Sequence, residues 1–194
     1  MPFSLDPWPA QPYEHGGQSV GNTAYRLPVI ANAQALSFWL HSPAYPSTNP
    51  AAYLFDARDL NPAAYWVSNE AAANGLTSSR SKGAQTGTFG FAEVCGVGWT
   101  KVYLEAAAVG GFAQGVTLLS RYTNSEFLPG VKLAQVRVHS RPWTALERAD
   151  PRGNGPADAL LAVYDFSDVS GGLLKDVSGN ARHAAIIGPT PTLF

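Results

Sequence analysis

The chain has 194 residues, room for one domain of ordinary size. Only 14% of them are charged, the net charge is -1, and Gly (19) and Pro (15) are abundant. That balance excludes helical bundles and coiled coils, and it excludes nucleic-acid binding driven by phosphate neutralisation; it predicts short strands joined by frequent turns.

A single cysteine, Cys95, rules out an intrachain disulfide and a cysteine-built zinc cage; it reads as a small buried apolar residue in a strand. No run of 18 apolar residues exists, so membrane insertion is not expected. The opening stretch MPFSLDPWPAQPYEH lacks the basic and apolar regions of a secretory signal.

Residues 1–26 read as an extended arm, because Pro2, Pro7, Pro9 and Pro12 alternate with Phe3, Trp8 and Tyr13. Such an arm packs either on its own domain or on a neighbouring subunit. Strands are predicted over 35–40, 52–57, 65–68, 88–94, 99–106, 115–120 and 132–139. In the last of these, strict alternation places Leu133, Gln135 and Arg137 on one face and Ala134, Val136 and Val138 on the other. One short helix is predicted over 144–149, with Thr144 as N-cap. Residues 151–156 form a breaker-rich link, and strands come after it at 160–166 and 173–175. The fold class is therefore all-β, an antiparallel β-sandwich or jelly roll with one short helix.

Three stretches carry a family resemblance in order: Leu36-Ser37-Phe38-Trp39-Leu40, Trp99-Thr100-Lys101-Val102-Tyr103-Leu104, and residues 128–144 around Val136-Arg137-Val138-His139-Ser140-Arg141. Together they resemble the laminin-G-like, concanavalin A-like lectin/glucanase superfamily over about residues 27–150, which implies a jelly-roll sandwich. Residues 161–166 with Asp176-Val177-Ser178-Gly179-Asn180 resemble the motif that opens such domains, yet here they stand near the end of the chain. Residues 151–194 then complete either their own sandwich or, by exchange, a neighbour's.

Glucanases of this superfamily carry paired glutamates as E-x-D-x-E on one strand. Here Glu70, Glu93, Glu105, Glu126 and Glu147 are isolated and read as solvated charges, so no hydrolytic activity and no catalytic residues are expected. His15, His41, His139 and His183 lack catalytic or zinc-binding spacing. The resemblance does imply a calcium ion at the sandwich rim. Asp56, Asp59 and Asn61 are the candidate ligands, although Arg58 among them also fits an ion pair. Asp165, Asp168 and Asp176 form a second acidic group. No other cofactor is expected.

Carbohydrate recognition needs an aromatic face and polar neighbours. The candidates are Tyr65, Trp66, Asn69 and Glu70 in one region, and Arg121, Tyr122 and Asn124 with Glu126 in another; Trp39 and Trp99 are read as core. A lectin-type fold with neither signal nor disulfides suits a virion protein made in a host cytoplasm. The expectation is thus a non-enzymatic structural protein of a tailed phage, either a head decoration or a tail or baseplate component. It would be homo-oligomeric, contact other virion proteins through its arm, and touch host surface polysaccharide. A free-standing carbohydrate-binding lectin is the alternative, with a polysaccharide hydrolase last.

Overall fold

The computed structural model describes residues 14–43, 51–57, 64–68, 76–80, 86–87, 93–96, 98–106, 111–112, 115–150 and 154–194. Candidate residues Asn69, Glu70, Asp59 and Asn61, and residues 88–92 of the strand expected over 88–94, lie outside that set; Glu93 and Val94, at its end, are not in a strand.

The strands, in chain order, are β1 (Gly17–Gln18), β2 (Ala24–Leu27), β3 (Ala35–His41), β4 (Tyr53–Asp56), β5 (Tyr65–Val67), β6 (Leu76–Arg80), β7 (Thr86–Gly87), β8 (Thr100–Ala106), β9 (Val116–Leu118), β10 (Lys132–His139), β11 (Leu160–Tyr164), β12 (Val169–Ser170), β13 (Leu173–Leu174), β14 (Ala184–Ile187) and β15 (Thr192–Leu193). They form two antiparallel sheets. The first runs β15-β1-β10-β3-β8-β6-β7, with β11 beside β10; the second runs β12-β13-β14-β2-β9-β4-β5. The protein is an all-β sandwich, as the composition required.

Alternation builds the core between the sheets. Leu36, Phe38 and Leu40 of β3 and Val102 and Leu104 of β8 meet Tyr25, Leu27, Leu54, Val116 and Leu118 of the second sheet in one buried cluster. Burying a side chain of this size contributes about 1.5–3 kcal/mol. The cluster also takes in Ala162, Tyr164 and Phe166 from β11 and its exit, and Leu174 and Ala184 from β13 and β14. β11 pairs with β10, and β14 with β2, so residues 160–187 contribute strands to both sheets.

The single α-helix among the described residues, α1 (Ala145–Ala149), has Thr144 as N-cap in a capping box with Glu147. Its Oγ1 accepts the Glu147 N–H while Glu147 Oε2 accepts the Thr144 N–H, satisfying two amides that a helix start leaves open.

Four expectations need correction. The arm does not extend to residue 26: Gly17–Gln18 and Ala24–Leu27 are strands, and β2 stands inside the second sheet. Strict alternation also fails in β10. The register to β3 shifts between Ala134 and Arg137, and Gln135 takes a left-handed φ of 48°. One extra residue in a bulge reverses the parity of every residue beyond it. Leu133, Val136 and Val138 therefore face the core, while Ala134 stands on the outer face.

The third correction concerns Trp99, which is half-buried rather than core, whereas Trp39 is buried as expected. Trp39 is buried, but on the outer face of its sheet, with Ala134, Trp99 and Phe194 rather than in the main core. Lys101 lies 5.8 Å from the Trp39 ring and 5.2 Å from that of Trp143, and burial, with Arg137 nearby, lowers its ammonium to about 8. Finally, Cys95 is buried as expected but sits at a bend, not in a strand; burial raises its thiol to about 11, only partly offset by Ser42.

Candidate functional site

The outer face of the second sheet carries a transverse row. Leu173 pairs with Ala185, Ala185 with Arg26, Arg26 with Thr117, Thr117 with Asp56, and Asp56 with Tyr65. On β2, β9 and β14 the flanking residues Tyr25, Leu27, Val116, Leu118 and Ala184 belong to the core, so period two sends Arg26, Thr117 and Ala185 outward. With strands ~4.8 Å apart, the stretch from Leu173 to Asp56 spans roughly 19 Å.

This row, from Leu173 to Asp56, lies in a cleft of about 340 Å³. Tyr122 and His183 also line it, with apolar Leu27, Pro28, Val29 and Val116. Val29 is 70% exposed, so an apolar lip borders the polar floor.

Arg26 is fixed by neutral acceptors. Its Nε donates to Thr117 Oγ1 at 3.5 Å, and its Nη2 donates to Asn124 Oδ1 at 3.0 Å and to the Tyr122 carbonyl. Asp56, 1% exposed, accepts the Tyr122 N–H on Oδ2 at 3.2 Å. The loop that bears Tyr122 and Asn124 is thereby tied to two strands. It is also bent sharply, since Leu119, Asn124 and Glu126 all have left-handed φ of 66°, 59° and 54°. For non-glycine residues such geometry costs of order 1–2 kcal/mol apiece and persists only where the surroundings impose it. Here Leu119 N–H donates to Leu54 O, Leu119 O accepts Leu128 N–H, and Glu126 O accepts Tyr53 N–H.

The opposite wall comes from the Asp176 turn. Asp176 Oδ1 accepts the N–H groups of Val163 and Ser178, each at 2.9 Å, and Oδ2 accepts that of Arg182 at 3.0 Å. Burial alone would raise this carboxyl, but those donors hold it below its ordinary value. The turn in turn sets His183, whose Nδ1 accepts the Asp176 N–H at 3.1 Å. The neutral imidazole then carries its proton on Nε2, as a donor.

Of the residues expected to bind sugar or metal, Tyr122 and Asp56 line the cleft, Asn124 braces its arginine, and Tyr65 ends the row. Trp66 is 0% exposed and packs in the core, because period two turns it inward when Tyr65 turns outward; it offers no surface for a sugar. Arg121 serves its own loop, pairing with Glu126 at 3.2 Å beside the Tyr122 ring, and does not line the cleft. Glu105, read as solvated, instead accepts the Tyr103 hydroxyl at 2.7 Å. Asp176, placed in a second acidic group, faces N–H donors and organises a turn. Among the described residues no group of three His, Cys, Asp or Glu side chains gathers as a metal set. No helix among them is long and apolar enough to cross a membrane.

Sequence reasoning missed Arg26, Thr117 and Ala185. The only signal was the single charge within Ala24-Tyr25-Arg26-Leu27. No protein-family model matches the chain, and no curated protein matches it.

Proposed function

We propose that the protein is a non-enzymatic, lectin-like recognition module that contacts a surface glycan through the outer-face cleft, as a structural component of a tailed-phage particle. One observation carries the recognition: Arg26, held over the buried Thr117 and Asp56, shares a cleft with the half-buried Tyr122 and an apolar lip. Sugars present hydroxyls around a weakly apolar ring face, and this combination complements both. Among the described residues the cleft lining holds a single carboxylate, Asp56, whereas ordinary glycoside hydrolysis uses a pair, which supports binding without turnover. The place on a particle rests on the resemblance to concanavalin A-like domains and on the Pro/aromatic composition of residues 1–13.

The test is a titration of the purified chain with oligosaccharides from bacterial surface polysaccharides, beside Ala185→Trp. Ala185 is exposed and stands next to Arg26 in the row, so an indole there projects into the cleft and leaves the core untouched. The proposal predicts saturable binding that the variant loses. Binding unchanged in the variant would move the site elsewhere, and a loss with EDTA would assign calcium near Asp56. Co-sedimentation with capsid or tail proteins tests the particle, and glycan binding without it would leave a free-standing lectin.

A further inference from the structure

We infer that Arg26 makes this cleft selective for an anionic saccharide, one bearing a carboxylate or a sulfate ester; the inference rests on the glycan reading above. Among the described residues no carboxylate lies within ion-pairing distance of Arg26, whereas Arg121, Arg141 and Arg148 each have an acidic partner. All of the acceptors that hold Arg26 are neutral: a hydroxyl, a side-chain amide oxygen and a backbone carbonyl. They orient the guanidinium without cancelling its charge. They engage Nε and Nη2, which leaves Nη1 for a ligand. A planar guanidinium held in this way is suited to an oxyanion.

The surroundings agree. His183 lines the same cleft with Nε2 as a donor, and apolar Val29 and Leu173 border it, so none of them brings a negative charge to the arginine. The one carboxylate in the lining, Asp56, is buried at the far side of Thr117 and is committed through Oδ2 to the Tyr122 N–H. It shapes the loop, and among the described residues Arg26 has no counter-ion.

The experiment compares four ligands on the intact protein by calorimetry: trigalacturonate, its methyl ester, a 6-sulfated galactotriose and neutral galactotriose. The inference predicts that trigalacturonate, the sulfated sugar, or both bind about tenfold to a hundredfold more tightly than the ester and the neutral sugar. Which of the two is preferred identifies the anion. Arg26→Gln abolishes the preference, and Arg26→Lys, which keeps the charge but not the fork, retains part of it. The ester comparison uses unaltered protein, so it stands even if a variant misfolds. Equal binding of all four, the sulfated sugar included, would overturn the inference and leave the glycan reading intact. A preference surviving in folded Arg26→Gln would overturn it too. No binding by any of the four would overturn both.

Discussion

Asp56 on β4 accepts the backbone N–H of Tyr122 at 3.2 Å, although 66 positions separate them in the chain. That bond holds a strained loop against the sheet and so fixes one wall of the cleft. Replacing Asp56 by Ala is expected to cost about 1–3 kcal/mol, because the amide loses a charged acceptor. Asp56→Asn keeps an acceptor oxygen and should cost less. Urea denaturation of both variants checks the order, and glycan titration should show weaker binding in Ala than in Asn.

Tyr122 itself is predicted to give the sugar its aromatic face. Tyr122→Ala should weaken glycan binding by about tenfold or more, since an aromatic contact contributes roughly 1–3 kcal/mol with its buried area. Tyr122→Phe should retain most of the affinity. Titration of the two variants separates ring stacking from hydroxyl bonding.

Asp176 predicts an acid transition. Its carboxyl is held below the ordinary 3.8, so its stabilisation is present above pH 3.8 and is lost as pH falls through the lower folded value. Asp176→Asn should flatten this dependence. Asp176→Ala, which strands the amides of Val163, Ser178 and Arg182, should cost about 2–4 kcal/mol. Thermal melts between pH 5 and pH 2 on the order of half a unit apart would resolve the effect.

His139 predicts a separate, earlier loss. It is 0% exposed, and burial, with Arg137 beside it, lowers it from 6.5 to about 4; the Asn154 backbone offsets only part of this. The folded protein therefore disfavours the imidazolium, while the unfolded chain accepts its proton near pH 6.5. Stability is full above pH 6.5 and falls by about 3 kcal/mol as pH drops towards 4. His139→Phe, which keeps a ring against Trp143, should remove that slope; urea midpoints at pH 7 and pH 5 measure it.

Gly155 has a φ of +74°, and a Cβ there would stand 2.2 Å from Trp143 Cζ2 and 2.9 Å from His139 Nε2. Gly155→Ala is expected to destabilise by about 2–4 kcal/mol through overpacking and left-handed strain together. Denaturation reads the loss, and a shift in Trp143 emission would place it.

Much of the sandwich was legible in the sequence. The runs that became β3, β8 and β11 are dense in apolar residues, and Thr144 with Glu147 marked the helix start. Long-range pairing hid the rest. Arg26, Asp56, Thr117 and Ala185 become neighbours only through the register of four strands from distant parts of the chain. β2 has four residues and comes after a Pro-rich stretch, so its pattern was too short to read. The inward turn of Val136 depends on the bulge at Gln135, a residue that nothing in the sequence marks for a left-handed backbone. Tyr65 and Trp66 are adjacent aromatics, and which of them faces out is decided by pairing with Asp56, not by composition.

The most direct measurement is an amide chemical-shift map of the protein titrated with an acidic oligosaccharide. The account predicts saturable shifts confined to Arg26, Thr117, Tyr122, His183 and Ala185, the residues around the cleft. Shifts clustered instead on the outer face of the other sheet, around Trp39 and Trp99, would contradict it, as would a map without any shift at saturating sugar.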